Sequence, residues 1–341
     1  MKIALISTPF FGVPPPGYSG LEQVIWDLAC ALAELGEKVV VFAPGNKNPP
    51  KGFLCKTGEP LTDVNVNWLE KEMEMYQAYR DKLGDFDIIH SHNWFSAEYL
   101  YKQEHPDAKV CHTHHGHMLW RSKPPGVEKL NLIAISKYMA FEYSKQFSME
   151  VEHVYNGINL ERYPFQREKG DRLLFVGRIS TAKRPDIAIE VAKRVGMKLD
   201  VVGGTFVPNK GYVEGIRRLC EQNDFGFYPD APHEKKIELM QNAKILLFPS
   251  MMNEPFGLCA VEAMACGTPV IATKDGAIPE IVEEGKVGFT CYSIDEMCEA
   301  VKRIDGIKPE DCRMHAEKFS REAMGENYLK LYKSILNNGE W

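Results

Sequence analysis

The chain lacks most of the features that mark a specialised class of protein. No apolar run approaches the ~20 residues that a membrane span requires. Positive charge is in deficit: 41 Lys and Arg against 47 Asp and Glu give a formal net charge of −6. The basic footprint of non-specific nucleic-acid binding is therefore missing. The same balance weakens docking on anionic lipid and leaves at most peripheral membrane contact. The nine cysteines include no Cys-x-x-Cys pair and no regular spacing, which reads as free buried thiols in a reducing cytoplasm. Low-complexity segments and short repeats are absent. The opening MKIALISTPFFG has no cleavage pattern and leads into prolines and an amphipathic helix, so it reads as a first strand rather than a signal peptide. A cytoplasmic location is expected.

What remains is an ordinary globular composition, 44% hydrophobic and 26% charged over 341 residues, a length that suits two domains. One pattern occurs twice. Lys2 to Thr8 is an apolar strand, followed by a Pro/Gly loop and a helix with Leu21, Val24, Ile25, Leu28, Leu32 and Leu35 at helical spacing before Gly36. Arg172 to Val176 is a second such strand, followed by a polar loop and a helix from Pro185 to Val195 ended by Gly196. Strand-loop-helix alternation through both halves predicts two doubly wound α/β domains, hinged near Val154 to Phe165.

Ligands of open parallel sheets bind beyond the carboxyl ends of the strands. Polar and glycine-rich residues gather there in both halves: Ser19 and Gly20 after the first strand, His90 to His92 after Asp87–Ile89, and His112 to His117 after Lys109–Cys111. In the second half Gly177-Arg178, Gly203-Gly204 and Glu254 hold the same place. The expectation is one active cleft between two domains. The loop GVPPPGYSG lacks the G-x-G-x-x-G spacing, which makes nicotinamide binding a poor reading. Glu22 reads as a solvated or acceptor-side group. Trp94 is open between stacking on a sugar ring and filling core. For the histidine run His112 to His117, no flanking Cys pair or H-E-x-x-H helix supports zinc.

The most informative stretch is Asn253 to Thr273, NEPFGLCAVEAMACGTPVIAT. Glu254 and Glu262 stand eight positions apart around a Pro-Phe-Gly-Leu turn, the first following the apolar strand Ile245 to Phe248 and the second within a small-residue helix starting near Gly257. Carboxylates accept sugar hydroxyls, and helix-start amides accept phosphate; a nucleotide sugar carries both. Upstream, GRISTAK places Arg178 and Lys183 on a strand-to-helix loop, a fork and a point charge for phosphate.

These motifs together resemble the retaining glycosyltransferases of the GT-B fold, the large group typified by glycogen-synthase-like and phosphatidylinositol-mannosyltransferase-like enzymes (family 4, group 1). The resemblance spans essentially the whole chain and is strongest from Gly177 onward. It implies residues 1–163 as the N-terminal acceptor-side Rossmann-like domain, 164–318 as the nucleotide-sugar domain, and a helix, 319–341, crossing back to the first. It implies that Arg178 and Lys183 hold the donor diphosphate, Glu262 the ribose hydroxyls and Glu254 the donor sugar. The amides of Phe256, Gly257 and Leu258 would meet sugar and phosphate. Gly20 carries over from a two-glycine donor loop in which Ser19 replaces the first glycine. The family's Thr-x-His-Gly pattern maps onto Thr113, His115 and Gly116 and brings His115 to the donor sugar, with His92 and Trp94 on the acceptor side. Lys137 and Asn156 match positions more often structural than chemical. No metal and no cofactor are implied; the donor is a nucleotide-diphosphate sugar, UDP-sugar by default, and the acceptor a sugar, lipid-linked or small-molecule hydroxyl. The segment Phe227 to His233 is expected near the base. Rival readings are a nucleotide-sugar epimerase, a pyridoxal-phosphate phosphorylase and a non-catalytic nucleotide-sugar-binding subunit.

Overall fold

The computed structural model describes residues 1–15, 19–45, 54–61, 66–117 and 131–338. The chain forms two compact units, Met1–Gly157 with Arg321–Trp341, and Ile158–Ser320.

The first unit runs β1 (Lys2–Ile6), α1 (Gly20–Glu34), β2 (Lys38–Ala43), β3 (Leu54–Lys56), α2 (Trp68–Tyr79), β4 (Ile88–Ser91), α3 (Glu98–Glu104), β5 (Val110–His114), β6 (Asn131–Ala134), α4 (Lys137–Phe147) and β7 (Glu152–His153). Its seven strands are all parallel, in the order β3-β2-β1-β4-β5-β6-β7.

The second unit runs β8 (Leu173–Val176), α5 (Pro185–Val195), β9 (Leu199–Gly203), α6 (Lys210–Gln222), β10 (Gly226–Pro229), α7 (His233–Asn242), β11 (Ile245–Phe248), α8 (Leu258–Ala265), β12 (Val270–Thr273), α9 (Ile278–Ile281), β13 (Gly288–Cys291), α10 (Ile294–Arg303) and α11 (Pro309–Ala316). Its six parallel strands lie in the order β10-β9-β8-β11-β12-β13. Both units are therefore doubly wound and Rossmann-like, the α/β pattern of GT-B. The strand order reverses between β1 and β4 in one unit and between β8 and β11 in the other. Sheets covered on both faces need strands apolar throughout, and LLFV of β8 and ILLF of β11 are buried at every position.

A last helix, α12 (Arg321–Asn338), returns to the first unit. It packs on α1 so closely that a Cβ at Gly325 would lie 2.7 Å from the Ala31 Cβ. Arg321 anchors its start to Glu34 at 2.7 Å. The boundaries at Gly157 and Ser320 assign Ile158 to Tyr163 to the second unit, because the Ile158 amide bonds the Phe319 carbonyl and Tyr163 is drawn in by Glu262.

Two strands run further than their apolar residues predict. β4 includes His90 and Ser91, and β5 includes His112 to His114, which the sequence reading set beyond the strand ends. Pairing decides this: His90 registers with Cys111 and Ser91 with His112, and buried side-chain partners satisfy His90 and Thr113, which would otherwise tend to stop a strand.

Candidate active site

In the second unit the site grows from the two strands that flank the reversal point. The chain leaves β8 through Gly177, whose amide bonds the Val202 carbonyl at 3.1 Å. It then turns so that the amides of Lys183 and Arg184 both bond the Ser180 carbonyl at 3.1 Å. Arg184 adopts φ +55° at the cap of α5, where Pro185 starts the helix without losing a needed donor and Gly196 ends it. The chain leaves β11 through Ser250, and the Met251 amide bonds the Ala182 carbonyl at 3.0 Å, tying the two loops together.

Across that seam Lys183 Nζ bonds Glu254 Oε2 at 2.5 Å. Ser250 Oγ donates to the same oxygen at 2.6 Å, and Lys183 also sits 5.4 Å above the Phe248 ring. Arg178, from the same loop as Lys183, is exposed and forms no ion pair among the described residues. The Glu254 backbone is held as firmly as its side chain: the Asp275 carboxylate accepts from its amide at 3.3 Å, and its carbonyl accepts from the Ala277 amide at 2.8 Å.

Gly257 caps α8 at φ +103°, a conformation that a β-carbon penalises. The Gly257 and Leu258 amides donate to no protein group among the described residues, as expected at a helix start. Glu262 lies just over one turn into α8 and is only 8% exposed. Its two oxygens accept from Tyr163 Oη at 2.7 Å and from Lys236 Nζ at 3.0 Å. Sequence reasoning missed both partners: Lys236 in HEKK carries no signal that separates it from exposed neighbours, and Tyr163 lies 99 positions away. Ser250 was missed for want of any motif. The end of Phe227 to His233 does reach this corner: the His233 ring packs edge-on to Tyr163 at 5.6 Å. Burial, with the Lys236 charge beside it, lowers the His233 pKa to about 4.

In the first unit β1 and β4 flank the reversal point. Gly20 opens α1, after Ser19 as its cap; Tyr18 lies outside the described residues. Glu22 is not solvated, contrary to the sequence reading. It is buried, accepts from Thr8 Oγ1 at 2.5 Å and from the Ser19 hydroxyl, and burial raises its pKa. Its work is to hold the loop against the strand end.

His92, just past β4, meets His115, just past β5, at 2.8 Å from Nδ1 to Nε2. His90 is bridged by Tyr332 Oη at 2.6 Å and Thr113 Oγ1 at 2.7 Å, and Tyr328 Oη reaches Thr113 at 3.0 Å. His112 and His114 face each other at 3.3 Å. Among the described residues no group of three or more metal-ligand side chains is arranged to hold an ion. Trp94 is half-buried and packed edge-on to His114 at 5.4 Å, with Trp68 at 6.1 Å. A Cβ at Gly116 would lie 3.1 Å from its ring, so packing, not an open face, accounts for most of its surface. The sequence-selected residues thus form two sets: Arg178, Lys183, Glu254, Phe256, Gly257, Leu258 and Glu262 in the second unit, and Gly20, His92, Trp94 and His115 in the first.

Two family models tile the chain. Glycosyl transferases group 1 matches residues 160–323, and Glycosyltransferase Family 4 matches residues 18–162. The chain belongs to the group 1, family 4 glycosyltransferases. Relatives of this glycosyltransferase include the spore coat protein SA of Bacillus subtilis, 25% identical over 98% of this chain and 99% of that protein. Another is a D-inositol 3-phosphate glycosyltransferase of Kribbella flavida, 25% identical over 98% and 95%. Among solved structures, AviGT4, a glycosyltransferase involved in avilamycin A biosynthesis, superposes with a TM-score of 0.78 at 24% identity, covering 98% of each chain. Anabaena HepE in complex with UDP and glucose gives a TM-score of 0.72 at 17% identity, over 98% of this chain and all of that one.

Proposed function

We propose that this glycosyltransferase is a retaining, metal-independent enzyme of the cytoplasm that moves a sugar from a uridine-diphosphate sugar to a hydroxyl of a sugar, lipid-linked or small-molecule acceptor. One observation carries the reading: at the reversal point of the second unit, the buried Glu254 pairs with the part-buried Lys183, whose loop also carries Arg178, exposed and with no ion pair among the described residues. Without ligand, lysine and glutamate neutralise each other. A diphosphate sugar supplies each with a better partner, phosphate oxygens for Lys183 and sugar hydroxyls for Glu254, while Arg178 adds a two-pronged contact. The Gly257 and Leu258 amides offer further donors to the anion, and Glu262 accepts from ribose. The UDP in HepE's complex supports uridine as the base.

In the reaction the bond from the anomeric carbon to the phosphate oxygen breaks, its electron pair staying on the departing diphosphate. Arg178 and Lys183 stabilise that growing charge. The acceptor oxygen bonds the anomeric carbon from the same face, and its proton passes to a donor phosphate oxygen. His115 hydrogen-bonds the donor sugar.

The test is a thermal-shift panel of nucleoside diphosphates and their sugars, followed by NMR of the product anomer. UDP at 100 times its dissociation constant should stabilise by about 2.7 kcal/mol, and an α-linked donor should give an α-linked product. An inverted product removes the retaining mechanism. Stabilisation by another nucleotide and not by UDP removes the uridine assignment.

A further inference from the structure

His115 does not stand alone, and its neighbour sets what it can do. The two imidazoles meet at 2.8 Å, with centroids 5.1 Å apart and planes inclined by 32°. One of the touching nitrogens must carry the hydrogen and the other the lone pair. Burial lowers the His92 pKa well below its ordinary value and that of His115 to about 3. Each ring is therefore uncharged near pH 7 and holds a single proton.

Two arrangements satisfy the contact. In one, His92 donates from Nδ1, its Nε2 is a bare lone pair, and His115 accepts at Nε2 while carrying its own proton on Nδ1. In the other, His115 donates from Nε2, and the His92 proton is forced onto Nε2. His92 Nε2 is buried and has no hydrogen-bond partner among the described residues. The second arrangement would strand an N–H there, and orphaned buried N–H groups are the rarer and costlier kind. The ring cannot turn to escape. His92 is 2% exposed, its amide is tied to the Ile6 carbonyl at 2.9 Å, and the His90 ring lies 4.1 Å away, itself fixed by Tyr332 and Thr113.

We propose that His92 is a positioning residue that locks His115 as the tautomer protonated at Nδ1, so that His115 presents an uncharged N–H donor. This rests on the reading of His115 as the group that meets the donor sugar. His115 Nδ1 has no protein partner among the described residues. A donor there suits a sugar oxygen, whereas a bare nitrogen would need the sugar to donate to it.

Long-range ¹H–¹⁵N NMR on the full chain labelled at histidine reads the tautomer directly, with the His115 signals identified by their loss in His115→Gln. The expected spectrum shows Nδ1 protonated and Nε2 bare; Nε2 protonated, or an even mixture, overturns the proposal. In His92→Phe the lock is gone: the His115 tautomer should change and kcat should fall roughly tenfold, the worth of one hydrogen bond. His92→Asn, whose amide N–H reaches the place of Nδ1–H, should restore both, and donor KM should stay near wild type in each variant. An unchanged tautomer in His92→Phe also overturns the proposal. Should the tautomer behave as expected while His115→Ala transfers sugar at the wild-type rate, the lock stands and the sugar contact of His115 falls.

Discussion

Arg178 and Lys183 leave one loop and meet different fates, so their substitutions should part company. Arg178 is exposed and has no ion pair among the described residues, and Arg178→Ala should leave the melting temperature unchanged while lowering kcat more than it raises donor KM, since in the proposed reaction the diphosphate gains charge as the bond breaks. Lysine there should restore only part of the rate because the fork is lost; near-wild-type activity in the alanine variant would remove Arg178 from the phosphate site. Lys183→Met strands the buried Glu254 carboxylate and should cost about 3–5 kcal/mol of stability as well as activity. Denaturant titration of the two variants separates them. Glu262→Ala should raise donor KM tenfold or more, the equivalent of ~1.4 kcal/mol. It also deprives Lys236 of its carboxylate, so Glu262→Gln is the cleaner comparison for binding. An unchanged KM in both would place the ribose elsewhere.

The step from β11 into α8 is backed by Gly276, from the turn after β12, whose substitution tests a placement rather than a contact. A Cβ at Gly276, with φ +57°, would lie 2.3 Å from the Glu254 carbonyl oxygen and 2.4 Å from its nitrogen. Gly276→Ala should therefore push Glu254 off Lys183 and abolish transfer even in chains that remain folded by circular dichroism. This step was legible in the sequence because its signals are local: a buried run, a Pro-Phe-Gly turn, and a small-residue helix in one short segment. The helix Pro185–Val195 was legible for the same reason, with proline and glycine at its ends. The ends of β4 and β5 were not, since His90 and Thr113 are satisfied by Tyr332 and Tyr328, more than 200 positions away. Lys236, Tyr163 and Ser250 stayed hidden likewise: each becomes a site residue only through a partner brought by the fold. Glu22 misled because a charged residue just inside a helix is usually solvated, and nothing in its neighbourhood announces Thr8.

The first unit buries an unusual set of titratable groups, and its stability should record them. Burial lowers the pKa values of His90, His92, His112, His114 and His115. Below about pH 6.5 the unfolded chain takes up protons that these folded rings refuse, so stability falls with acid. Burial raises Glu22, Glu98 and Glu72, the last to about 8. Those groups keep protons that the unfolded chain releases above its carboxylate range, so they erode stability as pH rises. They offset part of the histidine loss above the carboxylate range, Glu72 throughout the interval from about pH 4.5 to 6.5. Above pH 6.5 Glu72 still erodes stability up to its folded value. The melting temperature should therefore peak near pH ~6.5; a monotonic rise from pH 5 to 8 would contradict this burial.

Transfer should survive EDTA, because the proposed reaction assigns the diphosphate's charge to Arg178 and Lys183 and not to a metal; complete loss restored by Mg²⁺ would contradict the phosphate assignment. One further consequence comes from α12, which fills the first unit with Tyr328 and Tyr332 although it is made after the whole second unit. On the ribosome the sheet from Lys2 to His153 emerges early, with His90 and Thr113 lacking their hydroxyl partners and the flank of α1 bare. At ~5–20 residues per second, the roughly 180 residues between Gly157 and Asn338 impose a wait of about 10–40 s. The second unit has all its own strands by then, so the chain should acquire protease resistance in reverse of its order of synthesis. Nascent chains arrested before Arg321 would show it: the later-made half intact, the earlier-made half cut.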